Sequence, residues 1–161
     1  MLCLCCNGTT WQARNKFAIE SQFGGADELL QLVKGAQKQG VAVMLDIVAN
    51  HLGPGGNFPS DYTPFDNADY FHGDPSNHCQ AQGSDQNTLE TCWLVNLPDL
   101  KQEHPFVTST LVKWMTGLQS QYVNKSMYCA SPRICSRTLM RVLQPPSVFS
   151  RSGSLCYFYL C

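Results

Sequence analysis

An α/β fold is predicted for this sequence, on three observations: an amphipathic helical stretch, a buried strand directly after it, and a second helical face beyond a long irregular insertion. Ala26, Leu29, Leu30, Val33 and Ala36 recur at helical spacing. Gly40 stands where a left-handed residue would end that helix. Val41-Ala42-Val43-Met44-Leu45-Asp46-Ile47-Val48 then runs apolar, with β-branched residues at most odd positions. That is the pattern of a strand covered on both faces, as in a parallel sheet. The short link around Gly40 is typical of α/β units. Pro105 sits at a helix start, and Val107, Leu111, Trp114, Met115, Leu118 and Tyr122 mark one helical face. The order describes part of a repeating β/α architecture with an excursion after one strand.

Composition narrows the function classes. With 161 residues, 43% hydrophobic and 14% charged, the chain is expected to be globular. A net charge of -1 and no basic stripe argue against nucleic acid as a partner. No apolar run approaches the roughly 20 residues that cross a bilayer, so no membrane partner is expected. Met1-Leu2-Cys3-Leu4-Cys5-Cys6 is too short for the apolar region of a signal peptide, and none is visible.

Nine cysteines, an odd number, leave at least one unpaired. Cys3, Cys5 and Cys6 crowd the start, and Cys129, Cys135, Cys156 and Cys161 lie in the last quarter. Cys79 and Cys92 sit inside the patterned middle. A zinc site built from Cys79, Cys92 and His72 or His78 would lack close-spaced paired ligands. A single loop-closing disulfide is the better reading, and it points to an oxidising compartment.

Asp46, Asn50 and His51 cluster at the end of the buried strand. In a parallel β/α barrel that end faces the active site. A carboxylate, an amide oxygen and an imidazole there suit a cation or a polar substrate. Spacing alone equally allows a buried hydrogen-bonding aspartate followed by a turn. Glu90 and Asp99 lie in the insertion, where hard oxygen donors could join Asn50 around Ca²⁺. Taken alone, solvated loop acids would be the commoner reading.

Several ordered motifs carry a resemblance. Phe23-Gly24-Gly25-Ala26-Asp27-Glu28-Leu29 and Met44-Leu45-Asp46-Ile47-Val48-Ala49-Asn50-His51 resemble the first diagnostic region of the α-amylase family of glycoside hydrolases. Asp69-Tyr70-Phe71-His72, Cys92-Trp93-Leu94 and Leu97-Pro98-Asp99-Leu100 resemble the inserted domain of fungal-type α-amylases. The likeness covers Trp11 to Tyr122. It implies a fragment of a (β/α)8 TIM barrel, with 11–49 a barrel segment ending in the third strand. Residues 50–104 would be the small calcium-binding domain inserted after it, and 105–122 a barrel helix. By the resemblance, Asp46 supports the active-site floor and His51 contacts the sugar. Asn50 and Asp99 would bind Ca²⁺ through side chains, Glu90 through its carbonyl, and Cys79 would pair with Cys92. The implied partner is an α-glucan such as starch, glycogen or maltooligosaccharides, acted on by a secreted monomer. Gly25 departs from the pattern, since relatives tend to have Thr or Ser there.

The resemblance also defines what should follow Tyr122. A retaining glycosidase of this family takes its nucleophile and general acid/base from two carboxyl groups about 5 Å apart, supplied by later strands. The first should stand in an Asp-Gly-x-Arg-x-Asp segment, yet residues 123–161 contain no Asp or Glu. No catalytic residue is therefore assigned. Residues 1–10 remain a Cys-rich start without assignment, and 123–161 are expected to be a non-homologous tail, disordered or mistranslated.

Overall fold

The computed structural model describes residues 14–19, 21, 24–41, 43, 45–122 and 128–130. Helix α1 spans Gly25–Lys38 and buries Leu29 and Val33. Asp27 and Glu28 lie in its first turn and Lys38 in its last, each complementing the helix dipole. Its N-cap is Gly24, and no side chain caps it. Gly24 has φ 103°, and a Cβ there would lie 2.7 Å from Cβ of Glu28. Only glycine fits that approach. At the other end Gly40 has φ 72°. Its N–H donates to the Gln37 carbonyl (3.0 Å) and that of Val41 to Ala36 (2.9 Å), the paired bonds of a Schellman stop.

Strand β1 is shorter than the apolar run predicts: it covers Leu45–Ile47. It pairs in parallel with β2, Tyr128–Ala130, in the register Leu45 with Tyr128 and Ile47 with Ala130. Two strands cannot cover the whole run, and Val41 and Val48 are 55% and 46% exposed. The expected tail thus contributes backbone to the sheet at 128–130; the rest of that segment, like residues 1–10, lies outside the described residues.

Helix α3 spans Pro105–Tyr122. All six residues of its predicted face are buried. They pack with Leu29 and Val33 of α1, with Ile47, Ala49 and Leu52 at the strand end, and with Tyr62, Phe65, Phe71 and Leu100 of the excursion. The excursion therefore shares the core of the β/α elements.

Between β1 and α3 the chain has little regular structure: a 3-10 turn at Ala68–Tyr70 and the short helix α2, Gln86–Thr91. Side chains start both, Asn67 accepting from the Asp69 N–H and Asp85 from the Asn87 N–H. A hairpin turn at Leu94–Leu97 closes with Leu97 N–H donating to Leu94 O at 3.0 Å. Its central residues Val95 and Asn96 have φ 50° and 64°. This left-handed pair suits Asn but not a β-branched side chain. Val95 is 75% exposed and gains no packing in return. Val95→Asn is expected to raise unfolding free energy by about 1 kcal/mol, read from the midpoint of urea denaturation.

Candidate functional site

Three backbone segments meet side by side. Leu52 N–H donates to Pro98 O (3.0 Å), and Leu100 N–H donates to Asn50 O (2.7 Å). On the other edge, His72 N–H donates to Asp99 O (3.0 Å) and Lys101 N–H to Tyr70 O (2.8 Å). Pro98–Lys101 is therefore a short central strand between 50–52 and 70–72. His51 and Asp99 form an antiparallel bridge. The bonds flank this pair rather than join it, the arrangement in which opposite side chains lie nearest.

Asn50 and His51 are both buried. Asn50 Nδ2 lies 2.8 Å from His51 Nδ1. An amide nitrogen only donates, so Nδ1 is the acceptor and a neutral His51 carries its proton on Nε2. Burial first, and the Lys16 charge second, lower the His51 pKa to about 3, so the ring is neutral at neutral pH. The same contact commits the Asn50 nitrogen and leaves Oδ1 as an acceptor.

Lys16, 4% exposed, reaches this place from the N-terminal side. Its Nζ donates to Val48 O (2.6 Å) and His51 O (2.9 Å) and lies 5.3 Å from the centre of the Trp114 ring. It supplies donors to the Val48 and His51 carbonyls beyond the end of β1.

Asp99 is 1% exposed. Its Oδ2 lies 2.7 Å from His72 Nδ1, and His72 Nε2 lies 2.8 Å from Glu103 Oε1. Burial pushes the Asp99 pKa up to about 7 against the opposing bond and charge of His72. For His72, burial lowers the pKa, but hydrogen bonds to Asp99 and Glu103 and their charges outweigh it and raise it. The cluster is thus a carboxylate, an imidazole and a second carboxylate in a row.

The remaining candidates are placed as follows. Glu90 lies on α2, its side chain accepting from Gln86 Nε2 at 2.8 Å. Its carbonyl belongs to the last turn, where no helical donor is available. Asp46 lies in β1 opposite Cys129, and its side chain is outside the described residues. Cys79 and Cys92 form a disulfide. That removes both thiolates from any zinc site, and no cluster of three or more His, Cys, Asp or Glu suited to a metal occurs among the described residues. Among those residues, too, no helix is long and apolar enough to cross a membrane.

The description "Alpha amylase, catalytic domain" matches residues 9–125. The chain belongs to the α-amylase family. Its similarity to α-amylase 2 of Schwanniomyces occidentalis is 37% identity over 115 residues, 66% of this chain and 22% of that protein. To the α-amylase of Saccharomycopsis fibuligera it is 34% over 118 residues, 68% of this chain and 23% of that one. Among solved structures, an α-amylase from Malbranchea cinnamomea superposes with TM-score 0.70 at 28% identity, over 80% of this chain and 28% of the other. An α-amylase from Geobacillus thermoleovorans, complexed with acarbose, gives TM-score 0.69 at 26% identity, covering 86% and 31%. The fold is a piece of the TIM barrel of these α-amylases. The chain spans less than a quarter of the length of these two curated relatives.

Asn50, His51 and Asp99, singled out in the sequence, are brought together, whereas Glu90 makes no direct hydrogen bond to them. Lys16 and Glu103 were not singled out, and His72 was weighed only as a zinc ligand or a motif residue. An isolated lysine carries no periodic signal. Glu103 meets His72 across 31 residues of sequence, which leaves no spacing signal either.

Two buried groups give opposite pH dependence. The unfolded chain binds more protons than folded His51 between pH 3 and 6.5, so that contribution is present above pH 6.5 and lost on acidification. Folded Asp99 instead binds more between 3.8 and 7, a contribution present below 3.8 and lost as pH rises. The raised His72 contributes above pH 6.5 with the same sign as Asp99. With chelator present, Asp99→Asn should therefore become more stable as pH rises from 3.8 to 6.5, by up to about 1.4 kcal/mol per unit. His51→Asn should become less stable over that range, and urea unfolding across it measures both slopes.

Proposed function

We propose that this chain carries the third barrel strand and the inserted calcium-binding small domain of a fungal-type α-amylase, a secreted enzyme that cleaves internal α-1,4-glucosidic bonds of starch or glycogen with retention of configuration. β1 is that third strand, and 50–104 is the inserted domain. The single observation supporting this reading is the pairing of Asn50–Leu52 with Pro98–Leu100, which sets His51 opposite Asp99 and Asn50 one position along.

The donor chemistry fits Ca²⁺, which takes six to eight hard oxygen ligands. Asn50 has its nitrogen turned to His51 and its Oδ1 left over. Asp99 is a deeply buried carboxylate, and burial disfavours its charged form even with His72 beside it. A divalent cation supplies a compensating positive charge. Asn50 and Asp99 would hold it by side chains and Glu90 by its carbonyl, with water completing the shell. His51, neutral with its proton on Nε2, would donate to a sugar oxygen, and Asp46 would support the floor beside it.

Catalysis is a separate matter. This chain has no Asp or Glu in 123–161, so that segment supplies neither a nucleophile nor a general acid/base. The chain is a binding piece of an enzyme lineage, taking up calcium and α-glucan without turning glucan over. Calorimetric titration of the purified chain should show saturable Ca²⁺ binding that Asp99→Asn abolishes, while incubation with starch releases no reducing sugar. Absence of calcium binding would sink the metal assignment, and sugar release would sink the account of the missing carboxylates.

A further inference from the structure

We propose that His72 is the positioning residue of the calcium site: it fixes the rotation of the Asp99 carboxylate, and Glu103 fixes His72 in turn. The inference rests on the reading above, in which Asp99 is a ligand. The torsion that turns a carboxylate about its Cβ–Cγ bond is soft, with broad preferences. A ligand oxygen aimed at a cation therefore needs an external restraint on that torsion.

His72 supplies the restraint twice over. Its main-chain N–H donates to the Asp99 carbonyl at 3.0 Å, locking the two backbones in register. Its ring then meets Asp99 Oδ2 through Nδ1 at 2.7 Å. One carboxylate oxygen is occupied, and the other is the one left to a cation.

The ring is itself held from behind. Nε2 meets Glu103 Oε1 at 2.8 Å, so both nitrogens are engaged and the imidazole plane cannot turn. The His72 side chain is only 11% exposed, whereas Glu103 is 51% exposed and reaches in from the surface. Metal-binding carboxylates are commonly oriented through such outer hydrogen bonds, and losing one typically weakens binding 10–100-fold.

The test is calcium titration of the full chain by calorimetry, with terbium luminescence excited through tryptophan as a second readout. His72→Ala should weaken binding by about 10–100-fold. His72→Asn, whose amide nitrogen can take the place of Nδ1, should recover to within about threefold of the parent, since the bond to Asp99 is remade. Glu103→Gln should lose only a few-fold. Circular dichroism in chelator verifies that each variant is folded.

Rescue by Asn after loss with Ala supports the positioning role, because a purely packing role would not discriminate an amide from a methyl in this way. His72→Ala binding as tightly as the parent, while Asp99→Asn abolishes binding, would overturn the role of His72 and leave the calcium site standing. A folded His72→Asn as weak as His72→Ala would overturn it as well. A parent chain that binds no calcium, or an Asp99→Asn variant that binds normally, would remove the calcium reading and this inference together.

Discussion

The closing of the excursion on itself is the constraint from which the rest of this structure follows. The chain leaves β1, wanders through a segment of almost no periodic structure, and returns at Pro98–Lys101 to lie against the residues it left. Two backbone hydrogen bonds tie this return to 50–52, and two more tie it to 70–72 inside the excursion. Ordering so long a loop has an entropic cost that grows slowly with length, and local helix bonds contribute little against it. Burial of Phe65, Phe71, Leu52 and Leu100 against α3 offsets that cost, because it makes the excursion part of the same core as the barrel elements. The Cys79–Cys92 bridge, separated by 13 residues, shortens the part left to order.

The same closure forces unlike groups into one place. Asn50, His51, Asp99 and Gln102 are all buried polar side chains at or beside the returning strand. Each needs a partner, since an unmet buried polar group costs about 1–3 kcal/mol. His51 meets the constraint by staying neutral and accepting from Asn50. Lys16 lies over a tryptophan face and donates to two carbonyls. Asp99, 1% exposed, meets His72 Nδ1 at 2.7 Å.

Much of the framework was legible in the sequence because it is local and periodic. The α3 face was read residue by residue, and its six positions are the ones buried. The stop of α1 at Gly40 followed from backbone stereochemistry. What periodicity could not reveal was the excursion, whose short elements are started by Asn67 and Asp85 side chains and whose pairing joins residues far apart in the chain. There the ordered motifs around Asn50-His51 and Leu97-Pro98-Asp99-Leu100 carried the reading. Strand β2 was illegible for a physical reason: Tyr128-Cys129-Ala130 is too short to show a pattern and is specified by the edge of β1. Lys16 and Glu103 act through non-local contacts, which leave no trace in composition or spacing.

Native-state hydrogen exchange on the amides of Leu52 and Leu100 tests the closure most directly. If the excursion and the α3 core are one cooperative unit, both amides exchange only with global unfolding, at the same free energy as Leu111 and Met115 within α3. Exchange of Leu52 and Leu100 near the rate of an unstructured peptide, while α3 remains protected, would mean that Asn50, His51 and Asp99 are not held together in solution. The site would then have no structural basis.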